Sequence, residues 1–245
     1  MAWLSWDKMC VPKEEGGMGF RDLKAFNIAL LAKQGWRLQT FPNSLFCRVY
    51  KAKYFPHGDF LTASLGRHPS YSWRSIMEAQ KVVQLGCRWQ IGNGSSVSLW
   101  RDKWLPSPPS HKPATVPHFF PDDALVSALI YTETATWKSD IIHEVFLPFD
   151  AEAILSIPLS PSLPADRLIW AYTPAGRFTV SSAYRVARQA RNDTEQGESS
   201  TSQHMVSFWR CIWKLPLPNK IKNFAWHACR NILPTKANLF YRKVT

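Results

Sequence analysis

The chain of 245 residues is 45% hydrophobic, enough for one large domain or two small ones, and its 12 tryptophans and 14 phenylalanines make aromatic packing the main source of any core. A formal charge of +12 points to a polyanionic partner, nucleic acid or anionic lipid. Five scattered cysteines (Cys10, Cys47, Cys87, Cys211 and Cys229) without a C-x-x-C pair argue against a disulfide framework or a zinc knuckle; no signal peptide is expected at Met1 to Cys10, and no apolar run reaches the roughly 18 residues that span a bilayer.

Residues 11–20, VPKEEGGMGF, read as a loop before Asp22, which is placed to cap a helix carrying Leu23, Phe26, Leu30 and Leu31 through about Thr40. Asn43 is placed to cap a second helix with Leu45, Phe46, Val49 and Tyr50. Ser72 caps a third with Ile76, Ala79 and Val83, stopped at Gly86. Residues 87–104, CRWQIGNGSSVSLWRDKW, alternate apolar and polar side chains around Gly-Asn-Gly and read as a hairpin. Prolines crowd 105–121, which reads as a linker. Short helices are expected at 123–130, 137–146 and 151–156, a second hairpin at 166–180 turning at Pro174 to Gly176, and a helix at 182–189. Residues 190–204 lack apolar side chains apart from Ala190 and are expected to be disordered. Helices resume at 206–215, 219–231 and 235 to the end. The fold class is therefore α+β, mainly helical with two β-hairpins, in two small lobes joined by Pro-rich and disordered linkers.

Charge is uneven along this order. Residues 1–110 hold 15 Lys and Arg against 7 acids, residues 111–203 hold 7 against 11, and residues 204–245 hold 8 against none. On a helix beginning near Asn219, the residues Ile221, Phe224, Ala225 and Ala228 share one face, extended by Ile232, and this is the expected core side. Lys222, Trp226 and Arg230 follow i, i+4, i+8 spacing on another, where an indole between two cations suits an unpaired base flanked by phosphates. The bland alternative is a Trp226 packed under a neighbouring helix with solvated cations. Lys214 and Lys220 extend the basic stretch, and Arg88, Arg101 and Lys103 form a second basic group on the first hairpin.

Other motifs carry less. His227, Cys229 and Cys211 suggest a metal, but residues two apart point to different sides of a helix, so no zinc site is expected here. Phe120 to Asp123, FPDD, and Asp22 to Asn27, DLKAFN, look like fragments of a two-metal polymerase centre. Their aspartates are placed instead to cap helices, with Asn27 where a second acid is needed. No nucleophilic triad or phosphate loop is present, and Gly-Asn-Gly-Ser-Ser is a turn.

Five blocks together resemble the C-terminal region of plant LINE-type (non-LTR) retrotransposon reverse transcriptases. GGMGFRDLKAFNIALLAKQGWRL is similar to the segment after the polymerase thumb. KYFPHGDFLTASLGRHPSYSWRSI and WQIGNGSSVSLWRDKWLP are similar to the next two blocks. LIWAYTPAGRFTVSSAY and FWRCIWKLPLPNKIKNFAWHACRNILPTKANLFYRKV resemble the start of the reverse-transcriptase zinc-binding domain. The resemblance implies a division into a post-thumb region at 1–104, the linker at 105–121, helices with the second hairpin at 122–189, the disordered linker at 190–204, and the start of the zinc-binding domain at 205–245. It also implies that the family's catalytic aspartates lie upstream of this sequence, and that its zinc ligands and any ribonuclease H domain lie downstream. No catalytic residue, metal ligand or cofactor is then expected in these residues.

The expectation is a non-enzymatic, intracellular fragment, nuclear or cytoplasmic, that binds RNA or DNA without sequence preference. Lys214, Lys220, Lys222, Trp226 and Arg230, with Arg88, Arg101 and Lys103, are its contacts, and the missing polymerase and zinc-binding parts are further partners. The rival expectations are a scaffold or protein-interaction remnant, and an active part of a reverse transcriptase relying on Asp122 and Asp123.

Overall fold

The computed structural model describes residues 4–106, 110–195, 203–241 and 243. The fold is α+β and mainly helical with short antiparallel strands. Two compact units are present, residues 28–187 and, from the two ends of the sequence, residues 1–27 with 188–245.

The helices follow the sequence closely at their starts. After a short α1 (Trp6–Cys10), Asp22 opens α2 (Leu23–Thr40), its Oδ1 accepting the Lys24 and Ala25 N–H groups at 2.9 and 3.0 Å. Ser44 rather than Asn43 caps α3 (Leu45–Tyr54), and Ser70 rather than Ser72 caps α4 (Tyr71–Glu78), each hydroxyl accepting the N–H three residues on. The third expected helix breaks at Ala79, and α5 (Gln80–Gly86) completes it. Trp73 is enclosed by Tyr54, stacked at 4.7 Å, and Phe55 at 5.7 Å. Such aromatic contacts pack around α3 to α5 together with the buried Ile76, Val82 and Val83.

The strands correct the expected hairpins. Strand β1 (Cys87–Gln90) forms no hairpin ladder with residues 97–104; it pairs antiparallel with β4 (Arg167–Trp170), in the register Cys87 with Trp170 through Gln90 with Arg167. The Gly-Asn-Gly turn is otherwise engaged. The Asp166 carboxylate accepts the N–H groups of Gly92, Gly94 and Ser96 at 2.8, 2.9 and 2.9 Å, so this loop is a nest closed around the chain's own anion. Gly94 has φ of 69°, and a Cβ at Gly92 would lie 1.8 Å from the Pro164 carbonyl oxygen. Beyond the nest, Val97, Leu99, Trp104 and Leu105 turn into a core shared with Leu129, Ile142 and Ile154. Of the second expected hairpin only the first arm is a strand. Its turn is real, with Trp170 N–H donating to the Gly176 carbonyl at 2.9 Å and Phe178 packing on Trp170.

A different antiparallel pair, β2 (Ile130–Tyr131) with β3 (Thr136–Trp137), occupies a stretch expected to be helical on either side. It is followed by α6 (Ser139–Val145) and α7 (Pro148–Leu155). Asp122 and Asp123 cap no helix: they lie exposed in a turn closed by Ala124 N–H on the Pro121 carbonyl, and only a short 3-10 turn, Val126–Leu129, follows. The proline-rich segment is irregular where described and runs within residues 28–187. Its Thr115 and Ala114 N–H groups and the Thr115 hydroxyl converge on the buried Asp150 carboxylate at 2.7 to 2.9 Å.

Helix α8 (Val180–Glu195) continues into the stretch expected to be disordered, because Ala183, Val186 and Ala187 anchor it and the Ala, Arg and Glu residues that follow are good helix formers. The remainder of that expectation, 196–202, lies outside the described residues. Helices α9 (Gln203–Lys214), α10 (Asn219–Cys229) and α11 (Lys236–Tyr241) complete the chain.

Candidate nucleic-acid interface

In the unit formed by the two ends, the expected ridge of Lys222, Trp226 and Arg230 is not a surface. Trp226 is 2% exposed and packs with Trp209, Ile212 and Ile232. Its Nε1 donates to the Gly16 carbonyl at 2.9 Å, and Arg230 donates to the same oxygen from Nε at 2.8 Å and from Nη2. Gly16 has φ of 88°, and a Cβ there would meet Arg230 and Trp209 at 2.6 Å, so glycine is required for this convergence. The Arg230 guanidinium also lies over the Trp209 ring, 5.3 Å from its centroid. Lys222 Nζ donates to the Trp213 carbonyl at 3.1 Å. No base can stack on an indole held in this way, and two of the ridge's cations are used within the fold.

The expected core face of α10 holds only in part: Ile232 is buried and Ala225 packs against the same cluster, while Ala228 is exposed. Ile221 and Phe224, assigned to the core, are 48% and 61% exposed. The cause is a carbonyl acceptor beside an aromatic cluster, which satisfies the indole N–H and the guanidinium and lets Trp226 bury its ring there. Lys214 and Lys220 are exposed, as expected of phosphate contacts. Arg210 pairs with Glu14 at 2.9 Å on the surface.

The other three expected residues do come together. Arg88, Arg101 and Lys103 line one cleft of about 430 Å³ in the 28–187 unit. The geometry that joins them is not a hairpin but one backbone bond, Trp89 N–H to the Lys103 carbonyl at 2.7 Å, which returns the chain to the edge of β1. The same cleft is lined by Lys81, from α5, and Lys112, from the proline-rich segment, which sequence spacing did not group with them. Lys81 sits six residues before Cys87 on the helix that feeds β1, the one hint available in the chain; nothing local marks Lys112. Among the described residues Asp102 is the sole acid of the lining, and its Oδ2 accepts the Ser98 N–H at 2.7 Å. Lys103 Nζ donates to the Gln84 carbonyl at 2.8 Å, which fixes its position and leaves further N–H groups for a ligand.

The titrating groups register this field. His111, whose Nδ1 lies 2.8 Å from the Leu105 carbonyl, is held below the ordinary histidine value, by burial first and then by the charges of Arg88 and Lys103, against the opposing effect of that hydrogen bond. Burial also lowers Arg88 from its usual value. It pushes the Cys87 thiol up to about 11, so this cysteine is no nucleophile at neutral pH.

For metal, among the described residues no three His, Cys, Asp or Glu side chains gather as ligands. His227 Nδ1 lies 2.7 Å from the Asn223 carbonyl, and Cys211 and Cys229 are exposed and apart from any such set. Among the described residues no helix is long and apolar enough to cross a membrane.

A mainly helical chain with a cation-lined cleft has clear relatives. Residues 178–245 match the family described as zinc-binding in reverse transcriptase. The sequence is 42% identical over 114 residues to an uncharacterised mitochondrial protein of Arabidopsis thaliana, covering 44% of this chain and 74% of that protein. It is 29% identical over 229 residues, 91% of this chain, to a putative ribonuclease H protein of the same plant, of which it spans only 35%. No solved structure matches. The chain belongs to the reverse-transcriptase-related proteins of retrotransposons. The residues described do not by themselves fit the zinc ion that the matched family's description names.

Proposed function

We propose that the chain is a non-catalytic nucleic-acid-binding part of a LINE-type plant reverse transcriptase, acting in the nucleus or cytoplasm and holding RNA or DNA by its sugar-phosphate backbone without sequence preference. The observation that carries this reading is the cleft where five cations, Lys81, Arg88, Arg101, Lys103 and Lys112, face one engaged acid. Lys and Arg placed along a groove displace the counterions condensed on phosphates, which gives affinity independent of base identity. Lys214 and Lys220 on the other unit add exposed positive charge. Zinc coordination and polymerisation belong in this reading to other parts of the parent protein. Fluorescence anisotropy with a labelled single strand in rising salt tests it: log K falls linearly with log salt, and a flat line refutes backbone binding.

A second reading, a protein-interaction remnant, is favoured by one observation: Ile221, Phe224 and Leu217 are exposed on and just before α10. It requires strand affinity no greater than that of an unrelated basic protein of equal charge.

A further inference from the structure

Strand alternation sends Arg88, Gln90, Arg167 and Ile169 to one face of the β1–β4 pair and Cys87, Trp89, Leu168 and Trp170 to the other. The first of these faces borders a second cavity, of about 460 Å³, within the 28–187 unit. Its walls include Trp104, Ile157 and Ile169, and among the described residues its charged groups are Arg88 and Arg167 and no acidic residue lines it. Arg88 Nε is buried and finds no hydrogen-bond partner among the described residues, an arrangement that costs free energy until an acceptor arrives. Arg167 Nε donates to Gln90 Oε1 at 2.7 Å, which steers its guanidinium along the same face. An apolar wall beside two arginines free of acids, one with an unanswered donor, suits a ligand with a flat apolar body and an anionic end.

We propose that this cavity binds one unpaired nucleotide, its phosphate on Arg88 and Arg167 and its base against the half-buried Ile157 and Ile169 wall. It makes a base-binding subsite behind the cleft that holds the backbone. The choice of ligand rests on the nucleic-acid reading; the cavity does not. Arg88 lines both spaces and links them.

The test uses the whole chain. Nucleoside 5′-monophosphates are titrated by calorimetry and by tryptophan fluorescence, Trp89 and Trp104 both lining the cavity, with inorganic phosphate as the control. Saturable mononucleotide binding is expected, with phosphate much weaker because it has no body to bury. Arg167→Gln, at an exposed position, is expected to weaken it about tenfold. Ala175→Trp, on the exposed turn after β4, is expected to fill the cavity and abolish binding while far-UV circular dichroism stays unchanged. In parallel, an oligonucleotide with one abasic position separates a strand-borne nucleotide from a free one: loss of affinity relative to the intact strand, absent in Ala175→Trp, places the base in the cavity. Absence of saturable mononucleotide binding, or binding indifferent to both substitutions, overturns the proposal. Salt-sensitive strand binding that survives such a result leaves the backbone reading standing, and a flat salt response with intact mononucleotide binding removes that reading alone. If Ala175→Trp disturbs the fold, Arg167→Gln decides by itself.

Discussion

Replacing Lys81, Arg101 and Lys112 together by alanine probes the cleft without touching a core. Lys81 and Arg101 are exposed and Lys112 is half-buried, so the variant should unfold at the same denaturant concentration as the parent. If all five cations of the cleft meet phosphates of a single strand, each contributes about 0.7 to the slope of log K against log salt, giving about −3.5 in total. Over about a fourfold rise in salt the parent then loses about 100-fold in affinity. The triple variant keeps two cations, a slope of about −1.4, and loses only about sevenfold over the same range. Anisotropy titrations at several salt concentrations measure both slopes directly. Lys222→Ala is the internal control, since Lys222 is not among the residues lining the cleft, and it should leave the slope unchanged. A triple variant with the parent slope, or a slope that moves with Lys222 and not with the cleft residues, refutes the assignment of the interface.

Three further outcomes follow from the packing. Trp226→Ala should destabilise the unit formed by the two chain ends by about 3–5 kcal/mol, as a cavity opens and the Gly16 carbonyl loses a donor; urea unfolding followed by hydrogen exchange in α9 and α10 measures it. Asp166→Ala leaves three backbone N–H groups of the 92–96 loop without their acceptor and should cost about 2–4 kcal/mol by urea unfolding, with Asp166→Asn recovering part of the loss. For His111 the sign is fixed by its depressed value: the unfolded state takes up the proton first as pH falls below about 6.5, so stability is complete above that pH and lost below it, at no more than about 1.4 kcal/mol per pH unit. Replacing His111 with Gln should flatten that part of the stability profile, and an unchanged profile assigns the loss to other groups.

Helix existence and order were legible because their causes are local. Asp22 before an apolar pattern, Ser and Asn residues near starts, and a glycine at the end of α5 act within one turn of the residues they specify. Gly86 has a second reason invisible in its neighbourhood, since a Cβ there would lie 2.0 Å from the Trp170 ring. Strand partners were not legible for that same reason. Alternation at 87–90 fixes which side chains share a face, but nothing in the period names a partner at 167–170 in preference to one at 97–104. The Gly-Asn-Gly signal specifies only a turn of the backbone, and the acid that closes it, Asp166, lies more than 70 residues from Gly94.

The site shows the same limit in charge. The segment from 204 onward carries eight cations and no acid, and that density drew the interface to α10. Formal charge counts ammonium and guanidinium groups equally, whether they face water or the fold. Here Arg230 is spent on the Gly16 carbonyl and Lys222 on the Trp213 carbonyl, while Arg210 answers Glu14. A backbone carbonyl is a neutral acceptor, so the net charge is unaltered, yet a guanidinium stacked on Trp209 and bonded to Gly16 must break those contacts before it reaches a phosphate. In the cleft, by contrast, Lys81 and Arg101 are exposed, and a buried donor of Arg88 is unanswered. The less densely charged part of the chain therefore offers the better-prepared surface, and a guanidinium both bonded and stacked within the fold, as that of Arg230 is, should contribute little to a salt slope.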